Sequence, residues 1–386
     1  MASPRPGAGR HCRLFSCLAW LWPTIACADL LGMSNPAEIA DWKGARPYVG
    51  GGIFAASDDV AAMQFSRNWN GPFTPKTGGN LSIAEGRIET GFAWDSWRFS
   101  TLLREEAIVD TNADTAAIYR DNKQHLSVPQ GRSFLVKLGM EGFEAKGLRL
   151  DKGFLVELGN GTSLRIGGGF SLLDGMRVRI AGANGTAAST STGYAYNVTL
   201  QDQNSRGSYP FISSAIPSGR GYSTDVGAIL SLPGGGRVDF AANDLVARMH
   251  WYNMPYTFET ANSNTVTRDA SGYISYNAVL NGYNDLRRRT VVQKIPPKYH
   301  LDYLAHFRGF DLSAGADRVW GYWLPQAGMS LRLYGNWRLD LDRDFRFGSN
   351  GVAVSSRYVH FGIRSGSLDM NQSRALGLSA GLSFPF

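Results

Sequence analysis

The sequence predicts an all-β protein, an antiparallel transmembrane β-barrel of roughly 14 strands, within a range of about 12 to 16. Three observations carry this. First, the stretch from Ala375 to Phe386 alternates an apolar set (Leu376, Leu378, Ala380, Leu382, Phe384, Phe386) with a small or polar one, and ends on an aromatic. A period of two is that of a strand with one face on lipid and the other on a lumen. Second, the chain combines 46 Gly and 12% aromatics with only 18% charged residues. Its mean hydropathy of -0.20 is too polar for a bundle of spanning helices, and no uninterrupted apolar run reaches the ~18 residues such a helix needs. A barrel escapes hydropathy because only alternate residues meet lipid. Third, the alternation returns in segment after segment, with turn residues between.

In chain order, the first element is a leader. Arg5, Arg10 and Arg13 precede an apolar run from Leu14 to Ile25, and Ala26-Cys27-Ala28 follows before Asp29. Residues 1–28 therefore predict a cleaved secretory signal peptide and export to the cell outer membrane. The alternative is a lipoprotein signal with Cys27 acylated. All three cysteines, Cys12, Cys17 and Cys27, lie here, so cleavage after Ala28 leaves no thiol for a disulfide framework or a thiolate metal site. It also leaves 36 basic against 32 acidic residues, too mild a balance for a nucleic-acid binder. Residues 29–45, with Asn35-Pro36 and then Ala37 to Trp42, predict an N-terminal periplasmic or plug segment; residues 46–386 are the expected barrel.

Gly44-Ala45-Arg46 opens a run that continues Gly50-Gly51-Gly52-Ile53-Phe54-Ala55-Ala56-Ser57-Asp58-Asp59-Val60-Ala61-Ala62. This pattern resembles the first strand of the long-chain fatty-acid-transporter-like superfamily of outer-membrane barrels, which includes conjugation- and secretion-associated relatives. Where that family continues with Asn-Pro-Ala-Gly, this chain has Met63 to Asn70. The resemblance implies hydrophobic cargo. Its secretion-associated branch implies a barrel that scaffolds an assembly instead.

The hairpins follow. Ile88, Thr90, Phe92 and Trp94 alternate with Arg87, Glu89, Gly91 and Ala93; Asp95-Ser96 turns; Trp97, Phe99, Thr101 and Leu103 return. Trp94 and Trp97 flank the turn, where an interfacial aromatic girdle belongs. Asn160-Gly161 and Asp174-Gly175 readily supply the positive φ of tight hairpins and predict two more. Residues 203–219, rich in Ser, Gly and Pro, predict a surface loop, and 253–297 a long irregular one. Alternation resumes from Tyr299 to Phe307 and runs on to the terminal strand. That strand is expected to pair with the first, near Tyr48–Ala56.

The polar face carries the candidate function. Glu85, Arg87, Glu89, Arg98, Arg104, Glu106, His300, Asp302, His306, Arg338 and Asp340 fall on it. An Arg or Lys on the lipid face costs ~2–4 kcal/mol at midplane, so these residues are expected to line the lumen. There they serve either as a salt-bridged support or as a selectivity lining. Leu378, Ala380, Leu382, Phe384 and Phe386 resemble the assembly signal of outer-membrane barrels, which implies the barrel-assembly machinery as a partner. His300 and His306 share a strand face but lie about 20 Å apart at ~3.4 Å per residue, too far to hold one ion between them. No nucleophile elbow, P-loop or dinucleotide fingerprint occurs, so no metal, cofactor or enzymatic activity is expected. Arg287-Arg288-Arg289, with Lys294 and Lys298 nearby, is a candidate contact for lipopolysaccharide phosphates. The expected function is a passive channel or uptake protein for small solutes, hydrophobic ones if the resemblance governs. The alternative is a non-transporting scaffold for an envelope or secretion assembly. Expected partners are outer-membrane lipids and lipopolysaccharide, with no nucleic acid.

Overall fold

The computed structural model describes residues 33–384 apart from 66, 127–129, 191–192, 208–215, 264–265, 269–273, 277–278 and 335. The expected signal peptide and the terminal Phe386 lie outside the described residues. In order, the chain forms β1 (Ala45–Ser57), β2 (Asn80–Trp94), β3 (Trp97–Thr111), a helix α1 (Ala113–Gln124), β4 (Ser133–Gly159), β5 (Thr162–Thr190), β6 (Gly193–Asn204), β7 (Ser218–Ser231) and β8 (Arg237–Asn262). It continues with β9 (Val266–Arg268), β10 (Ile274–Tyr276), β11 (Val279–Lys294), β12 (Lys298–Phe307), β13 (Phe310–Val319), β14 (Tyr322–Arg332), β15 (Arg338–Asp344), β16 (Asn350–Ser355), β17 (Val359–Ser365) and β18 (Ala375–Ser383).

All of these strands except the separate β9–β10 pair belong to one antiparallel sheet, and β18 closes it on β1, from Tyr48↔Ser383 to Ala56↔Ala375. Two positions are each filled by two collinear segments. β6 and β7 both lie between β5 and β8, one above the other. β11 and β12 both pair with β8, on either side of Ile295-Pro296-Pro297. Proline cannot donate to a ladder, so the strand breaks there. Fourteen strands therefore go round the barrel.

The ends differ. At one, Asp95-Ser96 and Asn160-Gly161 turn with positive φ; the β7–β8, β12–β13, β14–β15 and β16–β17 connections lie there too, beside the start of β1 and the end of β18. The other end carries the longer connections. There α1 starts at Asn112, whose side chain accepts from Thr115 N at 2.9 Å, with Asp114 in its first turn and Lys123 in its last. It also covers the edge of β4. Leu135 N donates to Asp114 (3.0 Å), Lys137 N to Thr115 Oγ1 (2.8 Å), and Asn112 Nδ2 to Leu135 O (2.7 Å). An uncovered edge would be a template for pairing with another chain.

Alternation decides which side chains meet lipid. On β3, Trp97, Phe99 and Thr101 are exposed outward, while Arg98, Ser100, Leu102, Arg104 and Glu106 are buried inside. Outward-facing Glu105 stands opposite Glu144, beside the outward Lys146–Asp174 and Arg177–Glu144 pairs. From Trp97 to Glu105 is about 27 Å along the strand, or ~20 Å once tilted, most of the ~25 Å height of an outer-membrane apolar band. Above this level β4, β5, β6, β8 and β11 continue as a tall wall.

Two expectations need correction. Asp174-Gly175 is not a hairpin turn. It lies inside β5, which is 29 residues long, at a bulge where β4 and β5 shift register. Gly175 is there for clearance: a Cβ on it would come within 2.4 Å of the Trp251 ring. Nor is 253–297 an irregular loop. Most of it is the upper part of β8 and β11, paired from Val279↔Asn262 to Lys294↔Arg248.

Candidate functional site

The N-terminal segment runs inside the barrel. Asn35 caps a single 3-10 turn, Pro36–Ile39, by accepting from Ala37 N, and proline is preorganised for the first helical position. The turn rests on a flat patch made by three glycines in register across β4, β5 and β7: Gly153↔Gly167↔Gly227. A Cβ at Gly167 would come within 2.3 Å of Pro36, one at Gly153 within 2.6 Å of Ala40, and one at Gly227 would run into Asn35. Polar contacts hold the segment from the sides. Ser34 and Asn243 exchange two hydrogen bonds of 2.8 Å, Asn35 Nδ2 donates to Phe240 O (3.1 Å), and Arg98 reaches Ser34 Oγ (2.7 Å).

Above this segment, β2–β4, β7, β8 and β12 contribute a buried ion-pair layer. Arg98 pairs with Asp151 (2.6 Å), and Arg149 with Asp151 (2.9 Å) and Asp225 (2.5 Å). Arg104 joins Asp244 and Glu106, and Lys298 bridges Glu85 (2.8 Å) and Glu106 (2.7 Å). Arg87 pairs with Glu89 (3.1 Å), which accepts from Ser100 Oγ (2.7 Å). Glycine again makes the reach possible: Asp151, Gly169 and Asp225 are in register, and Arg149 crosses over Gly169. Above the layer, on the same side, the lumen is apolar. Trp251, Met249, Met254, Phe143, Leu102 and Ile295 form a buried cluster, and Trp251 Nε1 donates to Gln293 Oε1 (3.0 Å).

The opposite side of the lumen is open. A chamber of about 460 Å³ lies at the short-turn end, walled by Glu38, Asp41, Trp42, Arg46, Arg165 and Arg237. Glu38 and Arg237 also wall a second chamber of about 330 Å³, with Asp239, His300, Asp302, Asp317 and Arg338. Asp342 and Arg364 are shared between that chamber and a third of about 110 Å³. They pair across Gly351, to which both are in register. Met33 and Phe54 stand at the top of the third chamber. They belong to an apolar cluster with Leu81, Ile83, Ile108, Val319, Leu324 and Phe347, drawn from the loop ends of strands across the barrel. The arrangement is a polar half-lumen closed above by an apolar cap.

Glu38 lies inside the barrel with its side chain exposed to the chambers, while Pro36, Ala37 and Ile39 of the same turn are buried. Burial raises its carboxyl above the usual carboxylate range and Asp239 adds to this, while Arg98, Arg237 and Arg165 pull it back.

Glu85, Glu89, Arg98, Arg104 and Glu106 lie in the buried layer. His300 pairs with Asp317 (2.6 Å) and His306 with Asp311 (2.5 Å). Arg338 pairs with Asp340 (2.8 Å), which also accepts from Ser355 Oγ (3.3 Å). Leu378 faces outward in register with Ile53 and Ile363, all three exposed. Lys298 is not part of a basic rim; it is buried between Glu85 and Glu106 because its strand position points inward. Arg149, Asp151, Asp225 and Asp244 were missed. Their signal was available, since Arg149 and Asp151 alternate with Leu148 and Leu150.

The decisive observation is a closed sheet with charges inside and exposed Leu, Phe and Trp outside. The chain is a transmembrane β-barrel. Among the described residues no helix is long and apolar enough to cross a membrane. No protein-family model matches the chain, and no curated protein does. Among solved structures it is similar to the Pseudomonas putida toluene transporter TodX, at 10% identity over 92% of this chain and 93% of that one, with a TM-score of 0.45. A Pseudomonas aeruginosa FadL homologue is 13% identical over 93% of each chain, with a TM-score of 0.40. The Ralstonia pickettii toluene transporter TbuX is 9% identical over 92% of each, with a TM-score of 0.31. At such values the likeness is one of chain course, and function rests on the barrel's own geometry.

Proposed function

We propose that the protein is a gated outer-membrane channel for small solutes, closed at the loop end by Met33 and Phe54. The observation that carries this is the series of three adjoining chambers, which share walls at Glu38/Arg237 and at Asp342/Arg364 and end under the apolar cap. Their charged and hydroxyl lining suits polar, hydrated solutes. A hydrophobic solute fits the cap but meets the charged layer below it. One member of the gate, Met33, comes from the N-terminal segment and not from the wall.

Refolded protein in planar bilayers tests the reading. Phe54→Ala and Met33→Gly remove parts of the cap while leaving Pro36–Ile39 docked. Both are expected to raise conductance over the unmodified chain. If neither variant conducts at any voltage, the lumen is sealed by design and the scaffold reading takes over.

A further inference from the structure

The second chamber lies beside the N-terminal segment, and its charges do not balance. Each arginine on its wall has a committed partner: Arg237 with Asp239, Arg338 with Asp340 and Arg364 with Asp342. His300 is held by Asp317. Two carboxylates are left over. Glu38 and Asp302 have no ion pair or side-chain hydrogen bond among the described residues, and both face the same chamber of about 330 Å³. They come from different elements, Glu38 from the N-terminal segment and Asp302 from β12.

Asp302 is held in place by its strand. It sits opposite Gly315 on β13, where a Cβ would come within 2.7 Å of its Oδ1, so the carboxylate lies flat over the neighbouring strand. Glu38 is at the neck, shared with the outer chamber at the short-turn end. In that outer chamber Arg165 pairs with Asp41 (3.2 Å), while Arg46 stacks on Trp42 (4.6 Å to the ring) and keeps its positive charge. The outer chamber is the larger of the two, and fixed charge acts most strongly where the water column is narrow and the walls exclude salt.

We infer that Glu38 and Asp302 make this lumen selective for small cations over anions, with half of the filter carried on the N-terminal segment. The inference rests on the channel reading above and names its solute class: hydrated monovalent cations and small organic ammonium ions. Asp302 supplies a permanent site on the wall. Glu38 supplies one that is present only while Pro36–Ile39 stays docked on Gly153, Gly167 and Gly227. Selectivity is thus a property of the docked state, and a displaced segment leaves a less discriminating pore.

The test is the reversal potential of the full chain carrying Phe54→Ala, measured in bilayers across a potassium chloride gradient at neutral pH. The parent is expected to reverse on the cation side. Glu38→Gln and Asp302→Asn should each lower the cation-over-anion permeability ratio, and the double variant should bring it to about one. Glu38→Asp and Asp302→Glu should keep the cation preference, which separates charge from packing. A conducting parent without cation preference, or a double variant with an unchanged ratio, overturns the inference and leaves the channel standing. A parent that does not conduct removes both.

Discussion

β4, β5 and β8 run 27, 29 and 26 residues, whereas β15, β16 and β17 run 7, 6 and 7. The long strands bring more inward positions than one half-lumen needs for its lining, and those positions fill it. Arg149, Asp151, Trp251 and Met249 are nearly or wholly removed from solvent. The short strands bring few inward positions, many of them small, such as Gly351, Ala353, Gly362, Gly377 and Ser379 beside the upper chamber. That half stays open. The same alternation of lipid face and lumen face thus yields a support on one side and a path on the other. Side-chain volume decides which, and charge content does not, because both halves are charged.

The contrast can be broken most severely at the packed side. Arg149→Met leaves Asp151, Asp225 and Glu89 without their shared cation. Removing one member of a buried pair costs about 3–5 kcal/mol, so a large loss of unfolding free energy in urea is expected. Trp251→Ala empties the apolar cluster above it and is expected to cost about 3–5 kcal/mol in the same measurement. Trp251→Phe keeps most of that volume but leaves Gln293 Oε1 without its donor, for about 1–3 kcal/mol. The corresponding change on the open side is Arg364→Met. There Arg364 is itself largely buried, but Asp342 keeps its contact with the chamber water, so a smaller loss than at Arg149 is expected, read in the same way. If Arg364→Met proves as costly as Arg149→Met, the division into support and path is wrong.

The smallest effect concerns acid. Glu38 has a raised pKa in the folded chain, so its protonated form fits the docked segment better than its anion does. That contribution is fully present below the ordinary carboxylate value and is lost as pH rises through the raised one. Glu38→Gln should therefore melt higher than the unmodified chain at about pH 8 and level with it at about pH 4. Asp239 and the arginines Arg237, Arg165 and Arg98 surround the group, so a flat difference across that range would mean that they set the balance alone.

Much of the architecture was legible because lipid imposes a strict period. The β2–β3 hairpin, the Asn160-Gly161 turn and the pairing of Tyr48–Ala56 with the last strand all follow from alternation and turn chemistry. The tall wall was not legible. Above the apolar band β8 and β11 no longer face lipid, so Asn253, Thr257 and Glu259 resemble loop residues. Asp174-Gly175 misled for a related reason. A glycine that makes room for an indole cannot be told from one that turns a chain until the indole is placed. Inward charges could be named from parity, but their partners lie on strands up to about 200 residues away, as with Lys298 and Glu106. Nothing local in the sequence carries that register.

The seam between β1 and β18 has one further consequence. Its paired residues, such as Tyr48 and Ser383, lie roughly 330 positions apart, the largest separation that any ladder in the barrel bridges. Contacts of that span carry the largest loop-closure entropy in the barrel and are expected to form late. Until Ala375–Ser383 docks, β1 and β17 each present a raw edge, and raw edges recruit other chains. Nine residue pairs thus mark the moment at which an aggregation-prone ribbon becomes a finished object.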